Sequence, residues 1–156
     1  AVIWTTTPWT IPVNQALAYG PDVEYVALRL VWAARDGSEM RQFPERVLLA
    51  APLLDSFTAR AKVGGWEKVW SGKGADLAGT LARHPMHHLG GFYAAPRPLL
   101  PGDFVTTDSG TGLVHMAPDH GEDDFELCKA HGINPVFAVM DDGRYRDDWG
   151  WLGGAD

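Results

Sequence analysis

The sequence predicts a β-rich α+β domain, and three observations support this class. Glycine and proline contribute 18 and 11 of the 156 residues, and seven tryptophans are present. This composition indicates many turns between short buried strands rather than a disordered chain. Several runs of β-branched and aromatic residues end at turn residues, whereas only two segments are predicted to be helices. We therefore expect more strands than helices.

Strands are predicted where β-branched and aromatic residues cluster between turns. The first two, at residues 16–20 and 24–33, flank the turn dipeptide Pro21-Asp22, and we expect them to pair with each other. Further strands are predicted at residues 39–43, 66–70, 104–107, 113–117 and 136–139.

Helices are predicted in two places. Apolar residues recur every three or four positions in residues 45–62, with an interruption near Pro52 and a glycine pair after the helix. Residues 121–130 carry three acids in their first turn, at positions 122–124, where the helix dipole favours negative charge. Residues 72–85 are predicted to be a loop with one short strand, and residues 86–102 to be irregular.

We expect residues 1–156 to form a single domain, because this length supports one hydrophobic core. The chain begins at Ala1 without Met, a basic segment or a cleavage-site pattern, which predicts a part of a longer protein. No apolar run approaches the roughly 20 residues of a membrane span. The single cysteine, Cys128, cannot form an internal disulfide. We expect a soluble, cytoplasmic and monomeric domain.

The charge of the chain argues against an autonomous nucleic-acid binder. The net charge is −7, and the acids are concentrated after position 119. Such a chain lacks the basic field that attracts phosphates. Any RNA partner should therefore be held mainly by other parts of a larger protein.

A threonine-rich segment, residues 4–14, is the first candidate site. It reads Trp-Thr-Thr-Thr-Pro-Trp-Thr-Ile-Pro-Val-Asn. Three consecutive threonines place hydroxyls on both faces of an extended chain, and the prolines stiffen it and oppose helix formation. Such a segment can line a polar pocket. By itself it also fits an ordinary entry into a strand, with solvated hydroxyls.

The second candidate, residues 110–125, reads Gly-Thr-Gly-Leu-Val-His-Met-Ala-Pro-Asp-His-Gly-Glu-Asp-Asp-Phe. A glycine turn, a buried strand ending in His115, a proline-bounded loop and an acidic helix start bring an imidazole and carboxylates close in sequence. The spacing matches no helical metal-binding pattern, so we expect no metal here. Taken alone, the acids fit helix capping equally well.

A histidine cluster lies outside these segments. His84, His87 and His88 occur in the run His-Pro-Met-His-His. No carboxylate or cysteine accompanies them, which argues against a metal site. We expect an exposed loop.

Together the two segments resemble the editing insertion of the isoleucyl-, valyl- and leucyl-tRNA synthetases. That family carries a threonine-rich stretch near the start and a Gly-Thr-Gly-x-Val-His-x-Ala-Pro-Gly-His-Gly-x-Asp-Asp stretch near the end. Within it, Thr-Thr-Thr-Pro-Trp-Thr is similar to the isoleucine enzymes, and residues 73–77 and 84–85 extend the similarity. One departure is Asp119, which replaces a glycine. Asp tolerates a left-handed backbone better than most residues, so we expect only a local adjustment.

This resemblance implies a distorted barrel-like domain with two main helices, joined at both ends to a catalytic core that uses ATP, isoleucine and tRNA. The implied activity is hydrolysis of valine attached in error to tRNA(Ile). The implied partners are the aminoacylated 3′ end of that tRNA and the catalytic core of the same polypeptide. The domain itself would need no cofactor or metal.

The resemblance also implies which residues bind the substrate. Thr7 and Trp9 would shape the amino-acid pocket, with Thr7 against the branched side chain as the element that excludes isoleucine. Thr5 and Thr6 would contact the ester and the terminal adenosine.

Two further residues are implied to serve hydrolysis. Asp124 would anchor the cationic α-amino group and would have no internal partner. His115 would hydrogen-bond the terminal ribose or position the attacking water, with a role as a core histidine as its alternative. No serine or cysteine lies in a nucleophile motif, so water is expected to attack directly, aided by the vicinal hydroxyl of the substrate.

Three other interpretations remain open from the sequence. The module could come from a valine-specific synthetase, although the Pro8-Trp9 pair argues against this. It could be a tRNA-docking insertion without catalysis, although His115 and Asp124 together argue against that. A free-standing metallohydrolase would require a bound metal.

Overall fold

The computed structural model describes residues 1–32 and 46–153. The strands are β1 Ala16–Tyr19, β2 Glu24–Trp32, β3 Arg46–Ala50, β4 Val63–Lys73, β5 Leu81–Ala82, β6 Arg97–Pro101 and β7 Leu113–Met116. The α-helices are α1 Leu54–Ala61 and α2 Glu122–Ala130. Short 3₁₀ helices cover Pro8–Val13, Ala51–Leu53, Gly74–Leu77, His87–Leu89, Gly91–Ala94 and Gly150–Leu152. The β-rich α+β class predicted from the sequence is confirmed.

One sheet has the strand order β5-β6-β1-β7. Its central strand β1 runs parallel to β6 and antiparallel to β7, so that Leu17 lies between Leu99 and His115. All four residues of β1 are buried. Leu17 and Tyr19 belong to one core cluster, and Ala16 and Ala18 belong to another that contains Cys128 of α2.

The second sheet has the order β3-β2-β4, and both pairings are antiparallel. Its inner face and α1 form a third core. That core contains Val26, Leu28, Leu30, Val47 and Leu49, with Leu54 and Phe57 packed against them.

The side chain of Tyr25 links the two sheets. This fully buried residue of β2 accepts a hydrogen bond from the backbone N–H of Gly20 at 2.9 Å and donates one to the carbonyl of Gly112 at 2.5 Å. The sheets also approach closely at Gly74, where a Cβ atom would lie 1.9 Å from the carbonyl oxygen of Gly20. Tyr25 thereby fixes the entry to β7, which carries candidate site residues.

Two expectations about the sheets are wrong. The first two strands do not pair, because β6 and β7 occupy both edges of β1 and the turn after Tyr19 leads into the other sheet. In the described residues neither sheet closes into a barrel. The two open sheets instead pack through a shared cluster that contains Leu17, Tyr25 and Leu113.

The expected helix over residues 45–62 is also wrong in its first part. Residues 46–50 form β3, in which Val47 and Leu49 are buried against β2, and the helix begins only at Leu54. Strand pairing therefore outweighs an apolar spacing that fits both structures. The helix ends at Ala61, before Lys62 in the left-handed conformation and before the glycine pair, which lies in β4.

Other expectations have mixed outcomes. The strand at residues 66–70, the short strand in residues 72–85, the strand starting at Leu113 and the helix at residues 121–130 are confirmed. Residues 104–107 form no strand, and residues 136–139 contribute only a bridge from Val139 to Tyr145. Residues 86–102 contain β6, an unexpected strand with a proline inside it. The predicted strand at residues 39–43 lies outside the described residues.

Over residues 1–32 and 46–153, no helix has both the length and the apolar character needed to cross a membrane.

Candidate functional site

A pocket of about 380 Å³ lies where the threonine-rich segment meets the start of β7 and the first turn of α2. Thr5, Thr6, Thr7, His115 and Asp124 all line it. The fold therefore brings together five of the six predicted site residues, which come from segments about one hundred positions apart.

Trp9 is the predicted residue that does not line this pocket. Its side chain is 54% exposed. Its carbonyl oxygen accepts a hydrogen bond from the hydroxyl of Tyr145. In this structure the backbone of Trp9 therefore fastens the C-terminal region to the threonine-rich segment, and the indole faces solvent.

Local hydrogen bonds give the threonine-rich segment its shape. The hydroxyl of Thr5 accepts from the backbone N–H of Thr7 at 3.0 Å, and the two hydroxyls lie 3.2 Å apart. Pro8 then starts a 3₁₀ helix, in which the hydroxyl of Thr10 donates to the carbonyl of Thr7 at 2.8 Å. Thr6 is exposed between them. The segment therefore presents its hydroxyls from a fixed turn.

Hydrogen bonds occupy both ring nitrogens of His115. The side-chain amide of Asn14 lies 2.7 Å from Nδ1 and also donates to the carbonyl of Ala16 at 2.7 Å. The hydroxyl of Thr10 lies 2.8 Å from Nε2. Asn14 can only donate to Nδ1, and the Thr10 proton is directed to Thr7. The neutral tautomer with its proton on Nε2 therefore satisfies every group.

Burial also keeps His115 uncharged. Desolvation lowers its pKa from 6.5 to about 4, and the nearby His84 and His120 act in the same direction. With both nitrogens engaged, the ring holds the threonine-rich segment against β7. A direct contact with ribose or water, as expected from the resemblance, would require one of these bonds to break.

Thr10 and Asn14 are thus site residues that the sequence analysis did not single out. Both are buried, at 3% and 6% exposure, although both are polar. Both residues belong to the threonine-rich segment. Their common partner, His115, lies about one hundred positions away, so no local sequence pattern indicates the pairing.

Asp124 places a carboxylate in the pocket and has an internal partner as well. Its Oδ2 accepts a hydrogen bond from the backbone N–H of Ala117 at 2.7 Å. Burial raises the pKa of Asp124, and the bond from Ala117 partly offsets that rise. The expectation that Asp124 has no internal partner is therefore wrong. The bond from Ala117 holds Oδ2 in position, and the side chain lines the pocket.

The glycine turn before β7 is a packing requirement. Gly112 has φ +73°, and a Cβ atom there would lie 2.3 Å from the Cβ of Ala50. Between the glycines, the buried Thr111 donates its hydroxyl to the carbonyl of Val2 at 2.6 Å. The turn therefore ties the start of the chain and β3 to the pocket.

The backbone at Asp119 requires no glycine. Lys62 is the only non-glycine residue with a positive φ among the described residues. Asp119 therefore occupies an ordinary backbone region, and the replacement of the family glycine introduces no strain.

The histidine cluster is not simply an exposed loop. His84 is 2% exposed, donates from Nε2 to the carbonyl of Ile11 at 2.9 Å and accepts from the backbone N–H of Met86 at 3.0 Å. Of the three histidines, only His88 is exposed. The described residues contain no group of three or more His, Cys, Asp or Glu side chains placed to hold one metal ion.

The low pKa of His115 predicts that acid destabilises the fold. Between pH 6.5 and about 4 the unfolded state binds a proton that the folded state does not. The free energy of unfolding should therefore fall as pH drops through this window, by up to about 3 kcal/mol for one such group. Urea unfolding at pH 7.5 and 4.5 measures the loss, and His115→Gln should reduce it. NMR showing a protonated His115 in the folded chain at pH 6 would contradict the prediction.

Comparison with known proteins places this geometry in context. No protein-family model matches the chain. The isoleucine–tRNA ligase of Zymomonas mobilis is 58% identical over 155 residues, which is 99% of this chain and 15% of that protein. That of Gluconobacter oxydans is 48% identical over 147 residues, 93% of this chain and 15% of that protein. The chain thus spans about 15% of the length of the curated relatives it matches.

Solved structures support the same assignment at the level of fold. The crystal structure of GlLeuRS-CP1 has a TM-score of 0.60 at 17% identity, with 89% of this chain and 56% of that chain covered. The cytosolic leucyl-tRNA synthetase editing domain of P. falciparum has a TM-score of 0.58 at 15% identity, with 82% and 46% covered. Sequence and fold together identify the chain as a homologue of one segment of the isoleucine–tRNA ligases, with the fold of a synthetase editing domain.

Proposed function

We propose that this chain hydrolyses valine that has been attached in error to tRNA(Ile). The observation that carries the proposal is the pocket itself, which joins the hydroxyls of the threonine-rich segment to the carboxylate of Asp124. Valine lacks one methylene of isoleucine, and this difference changes the binding free energy in an apolar pocket by only about 1–3 kcal/mol. Isoleucine–tRNA ligases are the standard example of enzymes that therefore need a second, hydrolytic site.

The substrate would be the aminoacylated 3′ end of the tRNA. Its α-ammonium group would bind the oxygen of Asp124 that is not held by Ala117. Thr7 would face the branched side chain, and Thr5 and Thr6 would hydrogen-bond the ester and the terminal ribose. The ion pair between the α-ammonium group and Asp124 would fix the ester in one orientation, as hydrolysis requires.

Hydrolysis would proceed by direct attack of water. The water oxygen bonds to the carbonyl carbon, the ester C–O bond breaks, and a proton reaches the departing ribose oxygen. The vicinal hydroxyl of the substrate would hydrogen-bond the attacking water. Cys128 does not compete as a nucleophile, because it is fully buried and burial raises its pKa to about 11.

The longer relatives suggest the setting in which this domain acts. We propose that residues 1–156 form one editing domain, connected to a catalytic core that binds ATP, isoleucine and tRNA in the cytoplasm. The domain itself would need no cofactor or metal. The motif Thr-Thr-Thr-Pro-Trp-Thr resembles that of the isoleucine enzymes, and the chain is similar to isoleucine–tRNA ligases. Both points favour this setting over a valine-specific enzyme.

A deacylation assay tests the proposed function. The chain, in excess over substrate, is mixed with valyl-tRNA(Ile) or with isoleucyl-tRNA(Ile), and the release of free amino acid is followed against the spontaneous rate. We expect rapid release of valine and little release of isoleucine. Binding without faster release of valine would contradict the proposal and would support a docking insertion instead.

The chain alone is expected to bind uncharged tRNA weakly. Affinity for tRNA depends on the neutralisation of phosphates by Lys and Arg, and this chain has 13 such residues against 20 acids. Filter binding at fixed salt, with a full-length isoleucine–tRNA ligase as the reference, measures the difference. Equal affinity of the two proteins would show that the acidic chain holds the body of the tRNA itself.

A further inference from the structure

The pocket contains a second imidazole, that of His120. Its ring nitrogens, unlike those of His115, form no hydrogen bond within the described residues. His120 lines the same pocket as the threonines and Asp124. Across residues 1–32 and 46–153, no hydrogen bond occupies either of its ring nitrogens. His115 and His84, by contrast, each use both nitrogens within the protein. His120 is therefore the histidine of this site that is available to a ligand.

The backbone around His120 is held in place. Its N–H donates to the carbonyl of Ala117 at 2.8 Å, which closes the turn that contains Pro118. The N–H of Ala117 in turn donates to Asp124. The turn thus connects the end of β7 to the first turn of α2 and presents His120 at the pocket in a defined position.

One carboxylate lies close to this imidazole, and a second lines the same pocket. Oδ2 of Asp119 lies 3.7 Å from Nε2 of His120. Burial raises the pKa of Asp119, and His120 opposes that rise. The pKa of Asp124 is also raised mainly by burial and is likewise opposed by His120. The carboxylate of Asp119 is thus placed beside the ring of His120, where it can orient that ring.

We propose that His120 is the proton carrier of the hydrolysis and that Asp119 is its positioning residue. This role rests on the proposed function. Neutral His120 accepts a proton as the water oxygen bonds to the carbonyl carbon. The ester C–O bond then breaks, and the imidazolium returns the proton to the departing ribose oxygen. The ring is regenerated, and no oxidant, reductant or metal is required.

The roles of the neighbouring residues are consistent with proton transfer by His120. The α-ammonium of the substrate occupies Asp124, so that Asp124 is not free to accept the water proton. His115 is committed to Thr10 and Asn14. Positioned general acid–base groups accelerate such reactions by roughly 10²–10⁴-fold, and His120 is the pocket side chain placed to supply that effect.

Substitutions at His120 test the role with the same deacylation assay. His120→Gln and His120→Ala should each slow hydrolysis of valyl-tRNA(Ile) by about 100-fold, and free imidazole in the buffer should restore part of the rate of His120→Ala. The matched control is His88→Ala, an exposed histidine away from the pocket, which should retain the full rate. Asp119→Asn should lower kcat with little change in KM, and Asp119→Glu should retain more of the rate.

The outcomes separate this role from the proposed function. A His120→Gln rate close to that of an active wild-type chain would overturn the role and leave the editing function standing. A loss in His120→Ala that imidazole does not restore would also overturn it. A wild-type chain without deacylation activity would overturn both.

Discussion

Replacing Asp124 by Ala or Asn is expected to abolish the hydrolysis of valyl-tRNA(Ile). The carboxylate would hold the α-ammonium group, and a charge-assisted hydrogen bond of this kind contributes about 1.5–3 kcal/mol, so binding should weaken at least about tenfold. Loss of the anchor also misplaces the ester relative to the attacking water, which reduces the rate of the bound substrate as well. Deacylation rates at several enzyme concentrations measure both effects.

The two Asp124 variants differ in what they do to the fold. Asp124→Ala removes the acceptor for the N–H of Ala117 and should cost about 1 kcal/mol or more of stability. Asp124→Asn keeps an oxygen at that position while removing the charge, so it should stay folded and remain inactive. The neighbouring Asp123 is exposed and does not line the pocket, which makes Asp123→Ala the matched control. Normal editing by Asp124→Asn, or damage from Asp123→Ala instead, would reject the anchor.

Local patterns predicted the elements that depend on local interactions. The helix at residues 121–130 has its acids in the first turn and Gly132 after its end, and both signals are independent of the rest of the fold. The pairing of β1 was not predictable in this way. Proximity in sequence favoured β2, but β1 has both faces and both edges buried, and only β6 and β7 complete that environment.

The same distinction applies to the site. The family resemblance of two short motifs implies Thr5, Thr6, Thr7, His115 and Asp124 as site residues, and the fold places them around one pocket. The structure adds which atoms of these side chains already form hydrogen bonds within the protein. The two hydrogen bonds of His115 join residues more than one hundred positions apart and hold the threonine-rich segment, so that contact of this ring with a substrate stays a prediction.

Shortening Thr7 to Ala is expected to relax the choice of substrate rather than to remove activity. A methyl group forced against a packed wall typically costs about 1–3 kcal/mol, which is enough to bias hydrolysis by about tenfold or more. Thr7→Ala should therefore keep the hydrolysis of valyl-tRNA(Ile) and begin to hydrolyse isoleucyl-tRNA(Ile). A bulkier residue, as in Thr7→Leu, should block both substrates. Deacylation rates on the two substrates give the selectivity directly.

A comparison of Thr7→Val with Thr7→Ala tests the gate more specifically. The hydroxyl of Thr7 lies 3.2 Å from that of Thr5 and belongs to the hydrogen-bonded turn. Thr7→Val keeps the branched shape and deletes the hydroxyl, so it separates a steric gate from a polar role. If the gate is steric, Thr7→Val should still spare isoleucyl-tRNA(Ile), whereas Thr7→Ala should not. If the hydroxyl matters instead, Thr7→Val and Thr7→Ala should lose valine hydrolysis together. A Thr7→Ala chain that loses valine hydrolysis and still spares isoleucine would show that Thr7 is not the gate.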